Sequence, residues 1–361
     1  MASVEWGKYR IDDLFNIYTG RDVIIGKTSP GEIPLISHQN TENGVTRRIE
    51  HISNRRIFHY EETISLADRG VFYATTQNED FHIGTRVKAL VFKDGKKSEN
   101  VRLFFSSAIN KLQILFTDYS SNATDKLPKY KIQLPVLNGQ IDYNFMESFI
   151  EELEAERIEE LEAYLSVSGL KDTQLTADEL SVVNDLISKN IEFKPFCYDV
   201  IFDKIVQGRR LKKDDQIAGD IPFVMAGVTN TGVVGYISNP VASFPKNSIT
   251  IDIFGNAFYR NYDFGAGDDT GVYWSEKSDY SKEIMLFLTC SMGKSIENKF
   301  SYGKKLRSSQ SFKFKMQLPV KNEQPDYELM STLISAIQKL VIADVVKFSD
   351  EKIKATKQVV G

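Results

Sequence analysis

The residues best placed to do chemistry are cations and amides rather than nucleophiles. Between Lys294 and Lys315 stand seven basic residues against one acid, Glu297, with Phe300, Tyr302, Phe312 and Phe314 interleaved. In such a loop Lys304, Lys305 and Arg307 can neutralise phosphates. GRRLKK, from Gly208 to Lys213, is a second basic run with Arg209, Arg210, Lys212 and Lys213. In the first half Arg21 follows Gly20 as Arg209 follows Gly208. HQNTENG (His38, Gln39, Asn40, Asn43) and TTQNED (Thr75, Thr76, Gln77, Asn78) offer side chains suited to base edges. Arg69, Lys126, Lys129, Asn230, Asn256 and Arg260 complete the candidate nucleic-acid contacts. Taken alone, each loop reads more readily as solvated surface. Equivalent positions equipped in both halves argue for a function.

Catalytic chemistry finds no footing. FGAGDDTG (Phe264 to Gly271) lacks the spacing of a S-adenosylmethionine loop, and no [DNS]-P-P-[YF] tetrapeptide accompanies it. Asp269-Thr270-Gly271 spells an aspartic-protease triplet but follows Gly267-Asp268 rather than an apolar strand, so a Gly/Asp turn is expected. The E-x-K at Glu192 to Lys194 has no P-D before it. His38, His51, His59 and His82 show no zinc-like pairing. No nucleophile motif, P-loop or dinucleotide fingerprint occurs. The reading is no catalytic residues, no metal and no cofactor in this chain.

The elements that must hold these residues come in two copies. KYKIQLPV (Lys129 to Val136) returns as KFKMQLPV (Lys313 to Val320), and N-x-Q-x-D-Y-x-x-M follows both at one spacing. GEIPLISHQNTENGV (Gly31 to Val45) aligns with GDIPFVMAGVTNTGV (Gly219 to Val233), 188 residues on, as does Gly20-Arg21 with Gly208-Arg209. Each copy begins with short strands rich in β-branched and aromatic residues, such as TISLA, VFYATT and VKALVF, or NSITIDIFGNAFYR and GVYW. LFFSSAINKLQILF and EIMLFLTCSMGKSI read as helices. After each LPV the apolar period becomes three-to-four. One stripe is Met146, Phe149, Ile150, Leu153, Ile158, Leu161 and Leu165; the other is Met330, Leu333, Ile334, Ile337, Val341, Val345 and Phe348. Asp142 and Asp326 stand at the N-cap places, and Thr176 with Glu179 predicts a capped short helix in the connector. A lone helix would expose its stripe, at about 1.5–3 kcal/mol per large side chain. The two helices are therefore expected to pair, antiparallel, and make a pseudo-two-fold molecule.

The totals set bounds. The chain has 361 residues, which suits two domains, each with its own core. Its 42% hydrophobic and 26% charged content is that of an ordinary globular protein. The net charge of −4 excludes a global basic footprint, so any nucleic-acid surface is local. Cys197 and Cys290 fit no metal spacing and predict a reducing compartment. No signal region and no stretch of membrane-spanning length is expected, so a cytoplasmic location without a membrane partner is the default.

This layout resembles the DNA-specificity subunit of type I restriction-modification systems and of the related type IIB systems. The resemblance covers nearly the whole chain. Its carriers are the W-x-x-x-x-I-x-x-L-F start (Trp6 to Phe15), the two Gly-Arg turns, G-[ED]-I-P, YGKKLR (Tyr302 to Arg307), the two Q-L-P-V ends and DYNFMESFIEELE. It implies an α+β fold: two repeated target-recognition domains of mixed β-sheet and short helices (1–141 and 194–325), spacer helices that are long, antiparallel and coiled-coil-like (142–168 and 326–361), and a linker with a short helix (169–193). It implies a non-catalytic, sequence-specific DNA-binding subunit. Each domain would read half of a bipartite site on double-stranded DNA, while the helices set the gap and dock two DNA adenine methyltransferase subunits. S-adenosylmethionine would belong to those partners, and a restriction or translocase subunit could join. From Asn144 to Leu165 a helix would measure about 33 Å, close to one turn of DNA at about 34 Å. The first copy keeps only Lys126, Lys129 and Lys131 basic where the second has the loop before Lys315, so its phosphate contacts are sparser. A stand-alone DNA-binding or interaction protein without a catalytic partner is the competing class, and an enzyme the third.

Overall fold

The computed structural model describes residues 4–68, 71–115, 126–239 and 243–360, with the backbone alone for 355–360. The chain forms two compact units, Met1–Leu161 and Glu162–Gly361.

In the first unit β1 (Glu5–Arg10) passes through the one-turn α1 (Ile11–Leu14) into β2 (Phe15–Thr19). Then come β3 (Pro30–Ile36), β4 (Val45–Ile49), β5 (Thr63–Asp68), β6 (Phe72–Thr75), β7 (His82–Ile83) and β8 (Val87–Phe92). Helix α2 (Glu99–Asn110) precedes β9 (Lys131–Leu137), β10 (Gln140–Ile141) and α3 (Tyr143–Val167), whose residues from Glu162 onward fall in the second unit. Three sheets result, ordered β1-β9-β10, β2-β8-β5-β6 and β4-β3-β7. TISLAD and VKALVF are buried at every residue, which is why they read as near-continuous β-formers rather than alternating strands. Helix α2 is capped by Ser98, whose hydroxyl accepts Val101 N–H, and it closes the core with Phe105 and Ile109.

The second unit opens with α4 (Ala177–Ile187), which carries the expected Thr176/Glu179 capping box. Next are β11 (Phe193–Cys197), α5 (Tyr198–Ile201), β12 (Lys204–Gln207), β13 (Ala218–Val224) and β14 (Val233–Ile237). These are followed by β15 (Ser243–Phe244), β16 (Ser248–Asp252), β17 (Ala257–Arg260), β18 (Phe264–Ala266) and β19 (Thr270–Trp274). α6 (Lys282–Ile296), β20 (Lys315–Lys321), β21 (Gln324–Pro325) and α7 (Tyr327–Val360) complete it. The sheets run β11-β20-β21, β12-β19-β16-β17 and β14-β13-β18-β15, the order of the first unit strand for strand. The one addition, β15, takes the place of an isolated bridge between Phe58 and Phe81. Even the irregularities repeat: the β3–β4 register slips at Pro30/Ile33 and Leu35/Ile36, and β13–β14 slips at Ala218/Ile221 and Phe223/Val224.

Both Q-L-P-V strands end in the same device. Pro135 and Pro319 carbonyls accept the N–H of Asp142 and Asp326, each at 2.9 Å. Those aspartates cap the following helix, accepting Phe145 N–H at 2.9 Å and Leu329 N–H at 3.0 Å. One turn later Met146 and Met330, both without exposed surface, plug their own unit's core.

Beyond that plug the stripes depart from the expected burial. Ile150, Leu165, Leu333 and Ile334 are buried, and Ile158 and Leu161 partly so, but Phe149, Leu153, Ile337, Val341, Val345 and Phe348 are exposed. The first two turns touch their own unit's core through Met146 and Ile150 or through Met330, and farther along only some positions, such as Leu165, Ala336 and Val346, are buried. Within the second unit α4 and α6 pack along α7. The expectation that no stretch reaches membrane-spanning length also fails: Tyr327–Lys354 is long and apolar enough by length and composition. Packing against α6 and α4 accounts for only part of this apolar surface, since 28% of its most apolar part is buried. Lys339, inside that stretch, pairs with Asp172 at 3.0 Å and Glu179 at 3.1 Å.

Candidate nucleic-acid interface

The Gly-Arg turns are dictated by close approach. A Cβ on Gly20 would lie 1.8 Å from the Gly84 carbonyl oxygen, and one on Gly208 2.1 Å from that of Gly267. No side chain fits, so glycine ends β2 and β12 and the next residue leaves the sheet. Arg21 and Arg209 are accordingly exposed, as are Arg210, Lys212 and Lys213. The G-[ED]-I-P motif has the same origin: a Cβ on Gly31 would meet Glu50 N at 2.4 Å, and one on Gly219 would meet Ser238 N at 2.6 Å.

After β3 and β13 the chain makes one turn in two versions. Ser37 N–H bonds to the Gly44 carbonyl at 2.8 Å, and Met225 N–H to that of Gly232 at 2.9 Å. Each turn closes on three consecutive left-handed residues: Glu42, Asn43 and Gly44 (φ 48°, 49°, 81°), and Asn230, Thr231 and Gly232 (φ 46°, 51°, 85°). Glycine tolerates this and asparagine visits it readily, whereas Glu42 and Thr231 each cost about 1–2 kcal/mol. His38, Asn40, Asn43 and Asn230 are exposed on these turns. Gln39 is half-buried and turned inward, donating to Val45 O at 3.1 Å.

Several expected contacts belong to the scaffold. Thr75, Thr76 and Gln77 are buried at 8%, 9% and 5% exposure, although TTQNED reads as a surface turn. The Gln77 amide donates to Asn43 O at 2.9 Å, and Thr75 Oγ1 to the same oxygen at 3.2 Å. Asn78 alone of the four is exposed. Arg260, 1% exposed, donates to Thr250 Oγ1, Thr231 Oγ1, Tyr262 OH and Thr231 O. Burial holds its pKa below the ordinary guanidinium value. Asn256 faces inward, its amide 2.8 Å from Asp252. These residues lie at or beside strand ends, where the hydrogen-bond needs of neighbouring turns draw polar side chains inside.

In FGAGDDTG the expected Gly/Asp turn is Gly267 to Asp269, set between strands β18 and β19. Asp269 accepts Ala226 N–H at 3.0 Å, and Asp252 accepts Gly227 N–H at 3.0 Å. The Asp268 carbonyl accepts Arg307 Nη1 and, at 3.0 Å, Gln207 Nε2. Arg307 thus ties its loop down although it is itself exposed, while Lys304 and Lys305 are exposed, the latter 4.9 Å over the Tyr302 ring. Lys126, Lys129 and Lys131 are exposed in the first unit, and Arg69 lies outside the described residues. Two arginines that carry no motif join Arg21: with it, Arg55 and Arg56 line one concavity, Arg56 stacking 4.2 Å over Tyr18. Their adjacency in the sequence was the only available signal. His82 is buried, its pKa lowered by that burial, and its Nδ1 lies 3.0 Å from Arg56 O. Among the described residues no three His, Cys, Asp or Glu side chains gather as a metal site.

The model of the type I restriction modification DNA specificity domain matches residues 3–163 and again 190–347. The chain is 24% identical over 347 residues to the specificity subunit S.BcgI of a type II restriction enzyme from Heyndrickxia coagulans, spanning 94% of this chain and 96% of that protein. Its fold is that of a type I restriction-modification S subunit from M. genitalium, with a TM-score of 0.61 at 15% identity over 99% of this chain and 95% of the other.

Proposed function

Because this chain belongs to the type I restriction modification DNA specificity domain family, we propose that each of its two units reads one half of a bipartite site on double-stranded DNA. By family it is a DNA-recognition subunit of a restriction-modification system, and recognition rather than catalysis is its task. The observation that carries the bipartite reading is the duplication itself: one sheet order, one strained polar turn and one Gly-Arg exit, present once in each unit. The exposed cations Arg21, Arg209, Arg210, Lys212, Lys213, Lys304 and Lys305 position the duplex through phosphates. The exposed amides of the turns meet base edges.

In this reading α3 and α7 pair as antiparallel spacers and set the distance between half-sites. Helix α3 has 25 residues, about 37 Å of rise, which fits half-site centres about one DNA turn apart. The exposed apolar residues Phe149, Leu153, Ile337, Val341, Val345 and Phe348 then serve helix pairing and the docking of two adenine methyltransferase subunits. Those partners hold S-adenosylmethionine and take the target adenine out of the stack. Long-read methylation mapping of the assembled complex tests this. Two unlike half-sites separated by unread base pairs are expected; one compact palindrome would overturn it.

A further inference from the structure

The two strained turns are held from beneath by side chains in equivalent places. Counted across the sheets, Tyr18 and Val206 stand two residues before the Gly-Arg turns. They face Ala89 and Val272, which face Ser65 and Thr250. Gln77 follows by two residues Thr75, the partner of Ser65, as Arg260 follows by two residues Phe258, the partner of Thr250. Each reaches the same two targets. Gln77 Nε2 bonds to Asn43 O at 2.9 Å and Ser65 Oγ at 3.4 Å. Arg260 bonds to Thr231 O at 2.5 Å and Thr250 Oγ1 at 3.1 Å. Asn43 and Thr231 are the middle left-handed residues of their turns.

The chemistry of these sites differs while the geometry persists. Gln77 is neutral and Arg260 cationic, and the Arg260 donors go to hydroxyl and carbonyl oxygens rather than to a carboxylate. A guanidinium at 1% exposure carries a desolvation penalty that an apolar side chain would avoid. Strain and buried polarity therefore meet at one carbonyl in each unit. Backbone strain of this kind persists only when its surroundings over-determine it.

We propose that Gln77 and Arg260 are positioning residues for base recognition: from below the sheet surface they hold each turn in the one shape in which its exposed amides meet base edges, and they do not touch DNA themselves. This rests on the reading that the turns contact bases. Gln77 governs the half-site read by the first unit and Arg260 the half-site read by the second. Phosphate contacts, made elsewhere, are unaffected.

The experiment uses the chain assembled with its modification subunits and duplexes of the mapped methylation site, intact or with single base changes in either half. Arg260→Met, which keeps bulk but no donor, should lower discrimination against changes in the second half by about tenfold, the scale of one base-pair mismatch. The first half and the salt dependence of binding should stay as they are. Arg260→Gln, the first unit's own solution, should restore most of the discrimination. Gln77→Leu should produce the reciprocal loss in the first half, and it decides alone if Arg260→Met reduces the yield of folded protein. Unchanged discrimination in the half served by the substituted residue overturns the proposal. So does a uniform loss of affinity with a smaller salt slope, because that marks a phosphate contact. Asn230→Ala tests the underlying reading separately: if it leaves second-half discrimination intact, the turn does not contact bases, whatever the Arg260 variants do.

Discussion

At the residue scale, glycine and lysine carry the clearest consequences. Gly20 and Gly208 end their strands against carbonyl oxygens that leave no room for a methyl group. Gly208→Ala should therefore destabilise the second unit by about 1–3 kcal/mol, the range for overpacking, as read from the urea midpoint. An unchanged midpoint would mean that the strand end shifts freely. For the basic loop, Lys304→Ala with Lys305→Ala should weaken DNA binding across all sequences and reduce the salt slope by about one for each phosphate no longer neutralised. An unaltered slope would remove these lysines from the interface. Arg307→Ala is expected to act differently, because its guanidinium holds the Asp268 carbonyl. The sequence showed the basic composition of this loop plainly. It could not show which cation is committed to the protein, since that depends on a carbonyl 39 residues away.

At the element scale, the connector helix α4 is fastened to α7 by one carboxylate. Glu179 closes the α4 capping box and also accepts the Ser335 hydroxyl at 2.6 Å and the Lys339 ammonium at 3.1 Å. These bonds, Ser335 foremost, bring its pKa down to about 2 from 4.5. A folded-state pKa below the unfolded one means stability that is full above about 4.5 and lost as pH falls toward 2. Urea unfolding at pH 7 and pH 3 should show a larger acid loss for the natural chain than for Glu179→Gln, which keeps the cap but has no proton to gain. Equal losses would place the acid sensitivity elsewhere. The capping box was legible in the sequence because its partners lie three residues apart. The bonds to Ser335 and Lys339 were not, because they span more than 150 residues.

At the scale of the whole molecule, duplication explains most of what can be recovered from the chain alone. Strand positions, helix starts and the methionine plug recur because each copy solves the same packing problem. Met330→Ala should cost about 2–5 kcal/mol, as for other large-to-small changes in a filled core, and the same change at Met146 should act on the first unit. A one-turn insertion between Glu151 and Glu162 of α3 should change the number of unread base pairs and leave both half-site sequences intact. Methylation mapping that shows altered half-sites would detach α3 from the measuring role.

The sequence by itself determined the repeat, the order of the elements, the caps and the exit from each Q-L-P-V strand, because those depend on neighbours within a few residues or on a pattern present twice. Only the tertiary structure decided which polar side chains face outward. Thr75 and Gln77 have the letters of a binding loop and Arg260 is a cation at the end of a strand-like stretch, yet the carbonyls of the strained turns draw all three inward. Hydrogen-bond demand across the sheet, invisible to local spacing, separates the residues available for DNA from those that hold the turns in shape.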